Sequence, residues 1–156
     1  MIDLVNTTPA ALLEHLERAI AQGFAAPRGA TVAIAEDPAH AMDLLAAGRP
    51  GGMAVVLFYL SDASAADEEL PEDSLVSGQI RVACVQSPGL AARPGRKVPG
   101  ALAAAGELRK FVRNLSDAPT TTGGYDYAGM TYLKTEGGEL LHGYALTFNA
   151  HYADEV

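Results

Sequence analysis

The fold is decided by residues 143–152, which read Gly143-Tyr144-Ala145-Leu146-Thr147-Phe148-Asn149-Ala150-His151-Tyr152. Large apolar side chains alternate there with small or polar ones. This period of two is typical of a β-strand that has one face on a core. We predict a strand from Leu140 to Tyr152. Its core face would carry Tyr144, Leu146, Phe148, Ala150 and Tyr152.

A β-hairpin is predicted to lead into this closing strand. Residues 128–135 form another strand pattern, and Glu136-Gly137-Gly138-Glu139 lies between the two patterns. Glycine-containing connections of this length are typical of hairpin turns. The two strands are therefore expected to be antiparallel neighbours.

Two more strands are predicted in the middle of the chain. Met53–Leu60 is an apolar run rich in Val and aromatic residues, which is typical of a strand buried on both faces. Ser77–Gln86 is the second strand, and the residues between the two are too numerous for a tight turn. The pair is therefore predicted to be antiparallel and joined by a long, acidic excursion of the hairpin.

The first helix carries clear start and stop signals. Thr8 is a good N-cap, Pro9 suits the first helical position, and Leu12, Leu13 and Leu16 repeat at helical spacing. Gly23 is predicted to end this helix.

Two more helices are predicted from similar sequence signals. A short strand at Thr31–Ala35 precedes Asp37 and Pro38, which are predicted to start the second helix. The third helix covers about Ala101–Leu115. It carries three cations near its C-terminus, where they suit the helix dipole: Arg109, Lys110 and Arg113.

These elements predict one α+β domain that spans residues 1–156. Its order is helix, strand, helix, strand, strand, helix, strand, strand. We expect a mixed, mainly antiparallel sheet with the helices packed mostly on one face, together with the long β-hairpin excursion.

Composition and charge narrow the classes of function. The chain has 156 residues, 49% of them apolar, and a net charge of −8. This overall charge argues against nucleic-acid binding, although it leaves a local basic patch open. The single cysteine, Cys84, falls in an apolar strand pattern and is read as a buried small hydrophobe. No basic leader and no run of about 20 apolar residues is present, so neither a secreted nor a membrane protein is predicted.

No catalytic, cofactor or metal motif is recognised. The four histidines, at positions 15, 40, 142 and 151, form no HxH, HExxH or HxxxH pair. The glycine-rich stretches lead into strands, whereas a phosphate loop opens a helix and needs a Lys-Ser or Lys-Thr pair. We therefore predict that the protein is not an enzyme and that it needs no cofactor or metal.

Two segments of opposite charge are candidates for contacts between subunits. The acidic residues are Asp67, Glu68, Glu69, Glu72 and Asp73, and the basic residues are Arg93, Arg96 and Lys97. Complementary charge sets register and speeds encounter in such contacts. One hypothesis is that the acidic segment of one subunit faces the basic segment of a neighbour. The other is that both are solvated loops with no relation to each other.

The layout resembles the bacteriophage tail-terminator, or tail-completion, proteins and the related minor tail proteins of tailed phages. The resemblance lies in the capped helix at Thr8–Gln22, the strand pair Met53–Leu60 and Ser77–Gln86, the helix Ala101–Leu115, and the closing strand with its "YALTFNAHY" pattern. It implies a ring, typically of six subunits, on the end of the tail tube. Such a ring stops tube growth and presents a surface to the head-tail connector.

The resemblance also implies partners and a location. The partners would be sister copies, the tail tube protein and the connector or neck protein, and DNA would only pass through the lumen. The protein would be part of the virion, assembled in the cytoplasm of the bacterial host. The family offers no catalytic residues to transfer.

Other functions stay open at this point. A neck, head-completion or other minor tail protein is the nearest alternative. A small α+β enzyme would need a pocket that combines His142 or His151 with carboxylates. A ligand-binding module would use loops at a sheet edge.

Overall fold

The computed structural model describes residues 6–48, 53–64, 75–86, 100–133 and 142–154. The strands are β1 (Asn6–Thr7), β2 (Thr31–Ile34), β3 (Met53–Ser64), β4 (Leu75–Gln86), β5 (Asp126–Tyr132) and β6 (His142–Asp154). The helices are α1 (Pro9–Ile20), a π-helical turn (Ala21–Ala25), α2 (Ala26–Arg28), α3 (Pro38–Gly48) and α4 (Gly100–Arg113). The chain therefore has the α+β fold that the sequence predicts.

One mixed sheet contains all six described strands. Its order is β1-β6-β4-β3-β2, and β5 also pairs with β6. The pairs β3–β4, β4–β6 and β5–β6 are antiparallel, whereas β2–β3 and β1–β6 are parallel. The sheet is thus mainly antiparallel, as expected.

The strand β3 is covered on both faces. Every side chain from Met53 to Phe58 is buried. Alternate residues face α1 and α4 on one side and α3 on the other, which places them in two separate apolar clusters. This arrangement is why the run is continuously apolar and does not alternate.

The larger core lies between the sheet and the two helices α1 and α4. Leu146, Phe148, Ala150 and Tyr152 of β6 are completely buried in it. The predicted core face of the closing strand is therefore confirmed. The smaller core lies beneath α3, on the other face of the sheet.

The start of α1 agrees with the prediction, but its end does not. The Thr8 hydroxyl accepts a hydrogen bond from the Ala11 N–H at 3.2 Å. The helical path does not stop at Gly23: it continues through the π-helical turn and α2, and it ends at Gly29, which has a φ of 65°. Gly23 serves a different purpose, because a Cβ there would lie 2.6 Å from the Phe111 ring. The glycine lets α4 approach closely.

Other boundaries differ from the predictions by a few residues. At the start of α3, the Asp37 carboxylate accepts a hydrogen bond from the His40 N–H at 2.7 Å, as a capping residue does. α4 ends at Arg113, two residues before the predicted Leu115. β5 begins at Asp126, two residues early, and contains a bulge before Gly129.

Candidate functional site

The predicted interface residues all lie outside the described residues. They are Asp67, Glu68, Glu69, Glu72, Asp73, Arg93, Arg96 and Lys97. Pairing between the acidic and basic segments therefore stays a prediction. The structure shows two other candidate interaction surfaces, which were not predicted from the sequence.

The first surface is the cationic face of α4, formed by Arg109, Lys110 and Arg113. Arg113 is four residues from Arg109 and three from Lys110, so its side chain neighbours both of theirs on the helix surface. Together with Gly106 and Asn114 they line a shallow depression of about 370 Å³. The opposite side of α4 is buried in the larger core.

A second depression continues this surface toward β5. It has a volume of about 440 Å³ and is lined by Arg113, Tyr125, Asp126 and Tyr127. The Arg109 guanidinium lies 5.3 Å from the centre of the Tyr127 ring, within the range of a cation–π contact. This contact fixes one arginine of the cationic face against the sheet.

The cations of this face have no carboxylate partner within the described part of the chain. The ion pairs found there join Arg28 to Glu107, His15 to Asp117 and His151 to Asp126. Lys110 and Arg113 lie in the last turn of α4, where each interacts favourably with the helix dipole by about 0.3–1 kcal/mol. Within the described residues no carboxylate neutralises their charge.

The second surface consists of the two lateral edges of the sheet. Among the described strands, β2 pairs only with β3, and β5 pairs only with β6. Ile34 on β2 is 37% exposed and Tyr132 on β5 is 52% exposed, and these are the exposed large apolar side chains of the described residues. Each edge therefore combines an apolar side chain with backbone groups that no other described strand pairs with.

Arg81 occupies an unusual position on the face of the sheet opposite α1 and α4. Its cross-strand neighbours are Phe58 and Thr147. Its Nε is buried without a hydrogen-bond partner. Leaving such a group unpaired costs free energy.

A polar cluster ties α1 to the segment before β5. His15 Nδ1 lies 2.9 Å from the Tyr125 hydroxyl, and His15 Nε2 lies 3.3 Å from Asp117 Oδ1. The Tyr125 hydroxyl also donates to the Leu12 carbonyl at 3.4 Å. Burial raises the pKa of Tyr125, with a smaller contribution from the Asp117 charge. A phenol held neutral in this way is a poor nucleophile, and the cluster acts as a structural tie.

Two other titratable groups are also held neutral by burial. The hydroxyls of Tyr59 and Tyr152 are 2.8 Å apart, and Tyr59 also donates to Asp62 at 3.1 Å. Burial is the main cause that raises the pKa of Tyr59. Burial raises the pKa of Cys84 to about 12, in agreement with its expected role as a buried small hydrophobe.

The three described histidine side chains lie at three separate positions. His15 belongs to the tie described above, and the His40 ring accepts a hydrogen bond from the Glu36 N–H at 3.0 Å. His151 lies 3.2 Å from Asp126, and the side chain of His142 lies outside the described residues. Among the described side chains, no group of three or more His, Cys, Asp or Glu is arranged to hold a metal ion.

No helix in the described part of the chain combines the length and the apolar character that crossing a bilayer requires.

Comparisons with known proteins include a distant structural likeness. No protein-family model and no curated protein matches the chain. The crystal structure of a histidine kinase from Burkholderia phymatum STM815 aligns with a TM-score of 0.38 and 15% identity, over 97% of this chain and 71% of that chain. A likeness this low transfers neither fold nor function.

The sequence contained a partial signal for one of the two surfaces. Arg109, Lys110 and Arg113 stand out in the sequence, but the helix dipole gave them a sufficient explanation. That no described carboxylate pairs with them depends on the tertiary structure. The exposure of Ile34 and Tyr132 had no signal, because apolar residues in a strand pattern are expected to be buried.

Proposed function

We propose that this chain is a structural subunit that forms a ring and caps the end of a phage tail tube, without catalysing a reaction. The ring would present one side to the tail tube protein and the other to the head-tail connector or neck protein. DNA would pass through its lumen. The proposal joins the resemblance of the sequence pattern to the surfaces described above.

The observation that carries the proposal is the position of Ile34 and Tyr132 on opposite edges of the sheet. A closed ring of identical subunits needs two different surfaces on opposite sides of each subunit. The edge strands β2 and β5 meet this requirement, because they differ in sequence and flank the same sheet. Edge strands present rows of unpaired N–H and C=O groups, which pair readily with another chain.

The energetics favour association at these edges. Covering the exposed part of an Ile or Tyr side chain contributes roughly 1–3 kcal/mol by removing apolar surface from water. Addition of a strand supplies main-chain hydrogen bonds, and the side chains supply specificity. A stable contact needs about 1,000 Å² of buried surface. The neighbouring depressions beside α4 would extend the contact beyond the edge itself.

The experiment compares edge variants with the wild-type protein. Ile34→Glu and Tyr132→Glu each place a charge on one edge, and Ala10→Glu places the same charge on the exposed surface of α1. Light scattering gives the mass, and negative-stain microscopy shows rings or capped tube ends. We expect rings for the wild type and for Ala10→Glu. We expect the two edge variants to associate at least about tenfold more weakly, a loss of about 1.4 kcal/mol.

The result that contradicts the proposal is equally clear. If the wild-type protein is monomeric at every concentration and leaves purified tail tubes uncapped, the chain is not a tail terminator. If rings form but bind the connector and not the tube, the chain is a neck protein.

A further inference from the structure

Half of the cations in the described part of the chain lie within five residues. The six are Arg18, Arg28, Arg81, Arg109, Lys110 and Arg113. The last three form the cationic face of α4 on a chain whose net charge is −8. Because like charges on such a chain repel, an ordinary contact between two copies is disfavoured unless opposite charges are brought together.

We propose that the cationic face of α4 binds the acidic segment Asp67–Asp73 of a neighbouring copy. This inference rests on the proposed ring, and it names the partner of one of its surfaces. It differs from a pairing between residues 67–73 and residues 93–97, because the basic partner here is the helix α4, which belongs to the described structure.

The first argument is charge complementarity. The segment reads Asp67-Glu68-Glu69-Leu70-Pro71-Glu72-Asp73, with five carboxylates in seven residues. The cationic face of α4 forms no ion pair within the described part of the chain. Arginine binds carboxylates with two parallel hydrogen bonds, and two of the three cations are arginines.

The second argument is spacing. Arg109 and Arg113 are four residues apart on a helix, which separates them by about 6 Å along its axis. Three consecutive residues of an extended chain span about 7 Å between their outer Cα atoms. If it binds in an extended form, the acidic triplet 67–69 would match the length of the cationic face.

The third argument concerns the alternative occupant, a nucleic acid. Its phosphate backbone would extend beyond the cationic face over a chain whose net charge is −8, and this overall charge argues against it. A short acidic segment of polypeptide is therefore the better occupant.

The test uses charge reversal and its compensation in the full-length chain. The basic variant is Arg109→Glu, Lys110→Glu, Arg113→Glu, and the acidic variant is Asp67→Lys, Glu68→Lys, Glu69→Lys. The combined variant carries all six changes and has the same net charge as the wild type. Sedimentation velocity over a range of protein concentrations gives the association constant of each.

We expect each reversal to weaken association by about tenfold or more, and the combined variant to regain most of it. Wild-type association should also weaken as NaCl rises from about 0.05 to 0.5 M, because salt screens these charges. Two single reversals complete the comparison: Arg113→Glu should weaken association, whereas Arg18→Glu, which makes the same change on the exposed surface of α1, should leave it unchanged.

Neutral versions and a peptide keep the test decisive if a reversal variant unfolds. Arg109→Gln, Lys110→Gln, Arg113→Gln removes the charges with less disturbance of the helix end. A labelled peptide of residues 65–74 should bind the wild type in fluorescence anisotropy and lose at least about tenfold in affinity for this neutral variant.

Three outcomes overturn the inference. If the wild type forms rings and both reversals leave them intact, the ring stands and this contact is wrong. If the reversals change binding of a 20-base-pair DNA but not assembly, the face belongs to nucleic acid. If the wild type never associates, the ring and this contact both fail.

Discussion

Replacement of Gly143 by alanine tests the tightest contact between two central strands. Gly143 is buried on β6 opposite Val85 of β4. A Cβ at this position would overlap the backbone carbonyl oxygen of Cys84, and it would lie 2.6 Å from Val85 Cγ1 and 3.0 Å from Val85 Cα. Carbon atoms pack at about 3.5–4.0 Å, so β4 and β6 would have to separate by about 1 Å.

The expected cost follows from this geometry. Overpacking a well-packed interior costs about 1–3 kcal/mol, and here the obstacle is backbone, which yields less than a side chain does. We expect Gly143→Ala to lower the free energy of unfolding by about 2–3 kcal/mol. In a chain of this length that corresponds to a fall in Tm of about 5–10 °C.

Gly106→Ala is the matched control, because it is the same substitution in open space. A Cβ at Gly106 meets nothing within 4 Å, and the residue lies inside α4. Alanine is favoured over glycine in a helix by about 1 kcal/mol, so this variant should be more stable than the wild type. Urea unfolding followed by circular dichroism measures both variants. Equal effects, or a stabilised Gly143→Ala, would refute the described packing of β4 on β6.

Other predictions concern the core, a turn and the buried thiol. Phe148→Ala should cost about 3–5 kcal/mol in urea unfolding, whereas Thr147→Ala on the opposite face should cost far less. Gly29→Ala should lower stability by about 1 kcal/mol because φ is positive there, and Gly29→Asn should be milder. The folded pKa of Cys84, about 12, exceeds the roughly 8.5 of an unfolded thiol, so stability is unaffected below about pH 8.5 and falls as pH rises above it. Cys84→Ala should flatten that decline in urea titrations between pH 7 and 10.5.

The parts of the fold that were predictable have strong local periodicity. The alternation in β6 reflects burial of one face of the strand, and the unbroken apolar run of β3 reflects burial of both faces. Both patterns can be recognised from the hydrophobic periodicity of the sequence. The caps at Thr8 and Asp37 were also readable, because capping is a local hydrogen bond.

The parts that were not predictable depend on distant contacts. Gly23 looked like a helix stop, but its lack of a side chain serves the approach of Phe111 from α4. β1 has only two residues and exists because it pairs with the end of β6. Neither has a pattern that a reading of the local sequence can detect.

The candidate surfaces were also predictable only in part. The cations of α4 were visible in the sequence, but only the folded structure shows that no described carboxylate pairs with them. The exposure of Ile34 and Tyr132 depends on the order of strands in the sheet, which places β2 and β5 at its edges. The residues predicted first, 67–73 and 93–97, lie outside the described residues and stay predictions.

The most direct test is the mass of the purified wild-type protein over a hundredfold range of concentration, measured by light scattering and compared with images of the same sample. A six-membered ring predicts about 97 kDa, six times the 16.2 kDa of one chain, together with round particles that have a central opening. A constant mass of 16.2 kDa with no such particles would contradict the idea that this chain acts by assembling with its own copies.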